Sequence, residues 1–178
     1  MRIGSHICAT GTPDLAAIEG HVVHDDLARA GEFACSNELL NQIAHNILWG
    51  VRGNYRSIVT DCPQRDERQA WLGDRAGEAA GEASLFNIAP IYGKWLADIA
   101  DSQRPDGSLS DVCPAYWQFY NNNVTWPSLE IIVPGTLYDE YADLRVLQQN
   151  YPVMKKWMRR MRETVKDGIT AADVYGDW

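Results

Sequence analysis

The sequence predicts an all-α array of about six helices, joined by loops rich in Trp, Asp and Asn and preceded by a short β-leaning segment. Three observations carry this reading. Apolar residues recur at three- and four-residue steps in one segment after another. Pro and Gly clusters separate those segments, and no alternation of strands with helices calls for a parallel sheet. With 178 residues, 46% of them apolar and seven of them tryptophan, the chain can bury a sizeable core.

Taken in order, residues 1–35 are strand and linker: "GHVVHDDL" and "GEFACS" are short, bounded by Gly and Asp, and carry no helical stripe. Ser36 can cap a helix over about residues 37–53, in which Leu39, Leu40, Ile43, Ile47 and Val51 share a face. "GNYRSIVT" continues extended into the polar stretch "DCPQRDERQAWLGD" at 61–74. In "RAGEAAGEASLF" small residues at 76, 79, 80 and 83 let a helix pack closely despite two glycines. Ile91, Trp95 and Ile99 mark the next helix, ended by "RPDGS". "NNNVTWPS" is a loop, Pro127 suits the first turn of a helix over about 128–141, and Pro134 is expected to kink it. "DLRVLQQNY" and "PVMKKWMRRMRETV" then give one short and one longer helix, and "KDGITAADVYGDW" leaves the helical pattern as a loop. Trp49, Trp95 and Trp157 fall within apolar helical patterns and are expected in the core.

A net charge of -8, with basic residues scattered among acids, argues against a phosphate-tracking surface and so against nucleic acid. The exception, "KKWMRR", reads as the solvated face of an amphipathic helix, with Met158, Met161 and Val165 at helical spacing on its other side. No apolar run approaches the roughly 20 residues that span a bilayer, and the N-terminus leads into no signal region, so no membrane partner is expected. A cytoplasmic or a periplasmic compartment is compatible with that. Cys8, Cys35, Cys62 and Cys113 are far apart without metal-type spacing, and His24 and His45 have no spacing partner, so no metal is predicted.

The stretch at 61–74 is where chemistry concentrates. Asp61, Asp66, Glu67 and Asp74 crowd into irregular backbone with Arg65, Arg68 and Trp71. Carboxylates accept hydrogen bonds from hydroxyls, and an indole face packs on the C–H groups of a sugar, so the set suits a polyhydroxylated ligand. Each acid alone could merely cap a helix or pair locally; the set together is harder to explain so. In such a crowd one carboxyl can be kept protonated by its neighbours, as a general acid for glycosidic cleavage requires. Glu67 is the candidate, with Arg65 and Arg68 expected to hold the neighbouring acids ionised. Trp71, Trp126 and Trp178 lie in polar loops and are placed in the same cleft.

"DCPQRDERQAWLGD" closely resembles the signature of the bacterial α-L-rhamnosidases, inverting glycoside hydrolases of the six-hairpin superfamily. "GEFACSNELLNQIAHNILWGVRGNY" resembles their entry from a β-sandwich into the barrel, "IIVPGTLYDEYAD" a later barrel helix, and "YGDW" the next active-site loop, so the likeness covers residues 20 to 178. It implies a partial (α/α)6 toroid over residues 36–178, with residues 1–35 ending a preceding β-sandwich or linker. It also implies a rhamnose-containing carbohydrate as substrate and no cofactor. On this chain it makes Glu67 the general acid, gives Asp61, Arg65, Asp66 and Asp74 the rhamnose hydroxyls, and makes Trp71, Trp126 and Trp178 apolar walls. Two positions depart from the pattern: Ala70 stands where glycine is usual and Ser128 where aspartate is common.

The family's general base is a glutamate well downstream, expected beyond Trp178. The chain stops within a loop, so we expect a fragment whose partner is the remainder of the catalytic domain; weak turnover and uncovered apolar helix faces follow. The competing readings are a six-hairpin glycosidase for another sugar and a non-catalytic carbohydrate-binding helical module.

Overall fold

A computed structural model describes residues 19–170 and 173–175. Among the described residues there are five helices and one small hairpin: α1 (Glu38–Gly53), α2 (Leu72–Leu85), α3 (Ala89–Ser102), α4 (Leu129–Tyr141), α5 (Leu144–Thr164), β1 (Val165–Lys166) and β2 (Ile169–Thr170). The helical class holds. No helix is long and apolar enough to cross a membrane among these residues.

α4 is the hub, packing on α2, α3 and α5. It buries one broad face, Leu129, Glu130, Val133, Pro134 and Leu137, while Ile132 and Tyr138 stay exposed. Around it α3 contributes Ile91, Tyr92, Trp95, Leu96 and Ile99, at helical spacing on one face. α5 contributes Val146, Val153, Trp157 and Met161. Trp95 and Trp157 are core, as the periodicity predicts. The Trp95 indole N–H donates to the Cys113 carbonyl at 2.7 Å, which joins α3 to the segment crossing the site.

Several expectations need correction. α5 is one helix where two were expected, and Pro152 lies within it. The buried stripe runs unbroken past that proline, so packing outweighs the lost backbone hydrogen bond, which faces solvent. Met161 is buried there, but Met158 is exposed and Val165 belongs to β1. Asn37, not Ser36, caps α1, its side chain accepting from the Leu39 amide at 3.0 Å. α2 begins at Leu72, so Asp74 sits in its first turn rather than before it. Pro127 stands in the turn ahead of α4. In the expected terminal loop, Asp167 and Gly168 take φ of 51° and 80° and close the β1–β2 hairpin; Asp-Gly is a signal for that turn.

No strand forms in residues 19–35, and a single bridge ties Arg29 to Phe86. Val22 and Val23, 72% and 57% exposed, have no neighbouring strand to pair with among the described residues. Trp49 is also not core. It is exposed on α1, with the Arg52 guanidinium 4.8 Å from its ring centroid and His45 against its edge. The apolar side of α1 is open as well: Leu39, Leu40, Ile43 and Ile47 are all exposed, and Leu48 is the helix's one buried residue. Such a face drives association. We expect Ile43→Lys with Ile47→Glu to shift the isolated chain from associated species toward monomer in size-exclusion chromatography with light scattering; an unchanged elution profile would remove α1 as the cause.

Candidate active site

The motif at 61–74 is a loop held from two directions. The Asp61 amide donates to the Gln69 carbonyl at 2.9 Å, closing the loop on itself. The segment 111–113 crosses its far end: the Leu72 amide donates to the Asp111 carbonyl and the Cys113 amide to the Ala70 carbonyl, both at 3.0 Å, with Trp71 bridged to Val112. Arg68, at φ 43°, reverses the chain beside Glu67, and its Nη1 braces the turn on the Arg65 carbonyl at 2.9 Å. Ala70 is buried with no positive φ, so the methyl in place of hydrogen is accommodated without backbone strain. Ser128 donates from Oγ to the Thr125 carbonyl at 2.5 Å and caps nothing in α4.

These braces open a cavity of about 300 Å3, at the lower end of the roughly 300–1,000 Å3 typical of small-molecule sites. Asp61, Glu67 and Asp74 bring three carboxylates to it, Arg65 a cation, and Trp71 and Trp126 two of its walls. Six of the eight predicted site residues thus meet in one place. Asp66 does not line it; its side chain is 85% exposed, 4.0 Å from Arg68. Trp178 lies outside the described residues. Trp126 is 5% exposed, serving core and cavity together, because Gly73 leaves room: a Cβ there would stand 2.5 Å from the indole Cδ2.

Sequence reasoning missed two lining residues, Tyr175 and Cys62. Tyr175 precedes the Gly-Asp-Trp of "YGDW", where only the tryptophan drew attention. Its ring lies 4.5 Å from Trp126 and 5.8 Å, edge to face, from Trp71, which in turn stacks on Phe119 at 5.6 Å. The segment carrying it is pinned to the loop ahead of Trp126: Asp173 accepts from the Val124 and Thr125 amides at 3.2 and 3.0 Å, and the Val174 amide donates to Asn123 at 2.8 Å. Asn123 and Asn121 donate to buried Asp111 at 2.8 and 2.9 Å. Burial still pushes the Asp111 carboxyl up to about 6, against those two hydrogen bonds.

The electrostatics differ from expectation in one respect. Arg65 pairs with Glu67 itself, Nη1 to Oε1 at 2.9 Å, instead of with its neighbours. Arg65 lies two residues away in a tight turn, which puts Glu67 within its reach. The carboxyl that the crowd raises is Asp74: desolvation lifts it first, and Asp61 and Glu67 oppose a further negative charge there. Asp61, Cys62 and Glu67 offer ligand-type atoms within 4.8 Å of one another, but Arg65 already supplies Glu67 with a cation, and the Cys62 thiol is pushed up by burial and by Asp61. Cys62 and Cys113 are buried free thiols and Cys35 an exposed one.

Crowded carboxylates facing indole walls are the groups that hold hydroxyls and C–H faces of a saccharide, and known proteins carry the same arrangement of chain. A solved α-L-rhamnosidase from Dictyoglumus thermophilum superposes with a TM-score of 0.89 at 45% identity, over 94% of this chain and 19% of that one. One from Streptomyces avermitilis, complexed with L-rhamnose, gives 0.88 at 36% identity over 94% and 16%. A curated α-L-rhamnosidase of Formosa agariphila is 36% identical over 174 residues, 96% of this chain. The chain spans only 18% of that relative's length. Residues 28–178 match the family described as the bacterial alpha-L-rhamnosidase 6 hairpin glycosidase domain, and with that match, and a helical fold shared with solved members, the chain belongs to this family as part of its (α/α)6 toroid.

Proposed function

We propose that this chain supplies the acid side of an α-L-rhamnosidase that removes terminal rhamnose with inversion. The observation that carries the reading is the meeting of Asp61, Arg65, Glu67, Asp74, Trp71 and Trp126 around one sugar-sized cavity. Glu67 is the general acid that protonates the departing glycosidic oxygen. Asp61, Arg65 and Asp74 bind the ring hydroxyls, Asp66 would join them only by turning in from outside the cavity, and Trp71, Trp126 and Trp178 face the ring and its methyl group. For Glu67 to hold its proton, Arg65 transfers from Oε1 to a sugar hydroxyl when substrate enters. Residues 1–35 are the linker from a preceding domain and residues 36–178 the helical catalytic part, completed by the remainder of that domain.

Under inversion, distance argues against Asp61 as the base. An inverting pair leaves room for water, with carboxyls roughly 6.5–9.5 Å apart. Asp61 has an oxygen within 4.8 Å of Glu67, too near for that water. Asp61 therefore fits hydroxyl binding better than base catalysis.

The test is hydrolysis of p-nitrophenyl α-L-rhamnoside by this chain and by the protein extended through the reading frame, with the product followed by proton NMR. The expected first product is the β-anomer, released by the extended protein. The α-anomer appearing first would overturn inversion and turn attention to Asp61 as a nucleophile; a folded, extended protein with no rhamnosidase activity would overturn the reading itself.

A further inference from the structure

Arg75 and Glu82, 2% and 3% exposed, form an ion pair inside the fold that neither lines the cavity nor enters the reaction proposed above. A buried pair of charges is costly to desolvate, and apolar side chains of the same volume often serve stability as well or better. This one is held by several hydrogen bonds, although the Arg75 Nε is buried without a partner among the described residues. Arg75 Nη1 donates to Glu82 Oε1 and, at 2.7 Å, to Glu78 Oε2. Glu82 Oε2 accepts from the phenols of Tyr55 and, at 2.5 Å, Tyr92. Burial first, and then Glu82 itself, raise both phenols, so they remain protonated donors.

The other arm of the guanidinium points elsewhere: Nη2 donates to the carbonyl of Thr60. Thr60 is the residue before Asp61, and Arg75 is the residue after Asp74. One side chain thereby ties together the two ends of the acid loop. A planar fork can hold an acid with one nitrogen and a carbonyl with the other, whereas a lysine is a point charge that goes to the acids.

We propose that Arg75, held by Glu82 with Tyr55 and Tyr92, is a positioning residue that sets the spacing of Asp61 and Asp74 across the cavity. The inference rests on the glycosidase reading for its functional consequence, and on the hydrogen bonds alone for its structural one.

The experiment compares Arg75→Lys, Glu82→Gln and, as a core control on α5, Val153→Ala in the extended protein. It measures kcat and KM on p-nitrophenyl α-L-rhamnoside below the melting temperature, the melting temperature, and amide hydrogen exchange. Arg75→Lys is expected to raise KM about tenfold or more and to speed exchange at 60–74, since misplacing binding groups by about 1 Å is worth up to about 100-fold. Glu82→Gln is expected to act in the same direction. Val153→Ala, matched or lower in melting temperature, is expected to leave KM and loop exchange within about twofold. The proposal fails if Arg75→Lys leaves both readouts within twofold, or if Val153→Ala moves them equally. If the unsubstituted protein does not cleave the rhamnoside, the functional reading fails separately. Exchange at 60–74 in Arg75→Lys then decides the positioning: faster exchange confined to the loop upholds it, and unchanged exchange overturns it.

Discussion

Glu67→Gln in the extended protein is expected to reduce turnover of an alkyl α-L-rhamnoside by about 10³-fold and that of p-nitrophenyl α-L-rhamnoside far less. The difference follows from what a general acid does. An alkoxide leaves poorly without a proton, while p-nitrophenolate is stable enough to leave unassisted, so the 10²–10⁴-fold worth of a positioned acid is felt mainly with the alkyl substrate. Glutamine keeps the length of Glu67 and can still accept from Arg65, but it has no acidic proton to give. Stability should hardly change. The pair it weakens joins a solvent-exposed Arg65 to Glu67, side chains 66% and 23% exposed, and water screens such a pair. Steady-state kinetics on both substrates, with a melting curve for each protein, checks this. Equal losses on the two substrates would mean that Glu67 binds the sugar and donates no proton.

What was legible in the sequence followed from what fixed it locally. The face of α3 could be read because Ile91, Trp95 and Ile99 repeat at helical spacing and meet the core. α1 has as regular a stripe, yet Leu39, Ile43 and Ile47 are exposed: periodicity tells which residues share a face and is silent on what covers it. Pro152 misled because a local rule, the missing N–H, was outweighed by tertiary packing of Val146, Val153, Trp157 and Met161. The acid loop was legible as a cluster, since its residues are adjacent in sequence. Its braces were not. Thr60 meets Arg75, and Ala70 meets Cys113, through backbone groups that every residue possesses. Tyr175 stands about 50 residues from Trp126, and only the fold brings the rings together.

Raising the pH from 4 to 9 is expected to destabilise the chain through Glu130, and Glu130→Met is expected to remove most of that loss. The side chain is fully buried on α4, and neither carboxylate oxygen has a hydrogen-bond partner. Burial pushes its carboxyl up from 4.5 to about 8. The sign follows from proton binding: between those values the folded chain keeps a proton that the unfolded chain has released, so stability is full below pH 4.5 and falls as pH rises through about 8. A shift of that size corresponds to roughly 5 kcal/mol at 1.36 kcal/mol per pH unit, an upper figure because ionisation draws in water and local rearrangement. About 2–3 kcal/mol should be seen, or roughly 4–12 °C in melting temperature for a domain of this size. Asp111 acts in the same direction over a lower range, from 3.8 to about 6, so the difference between wild type and variant isolates Glu130. The two proteins should melt within a few degrees of each other at pH 4 and diverge toward pH 9, with Glu130→Met the more stable. Parallel melting curves across the whole range would show that Glu130 stays ionised in the fold through a partner, and would move the pH sensitivity to Asp111. The link to the site is short: α4 starts at Leu129, whose amide donates to the Trp126 carbonyl at 3.2 Å. Ionising Glu130 therefore strains the helix on which one wall of the cavity is hung, and indole fluorescence from that wall should change over the same pH interval as the stability.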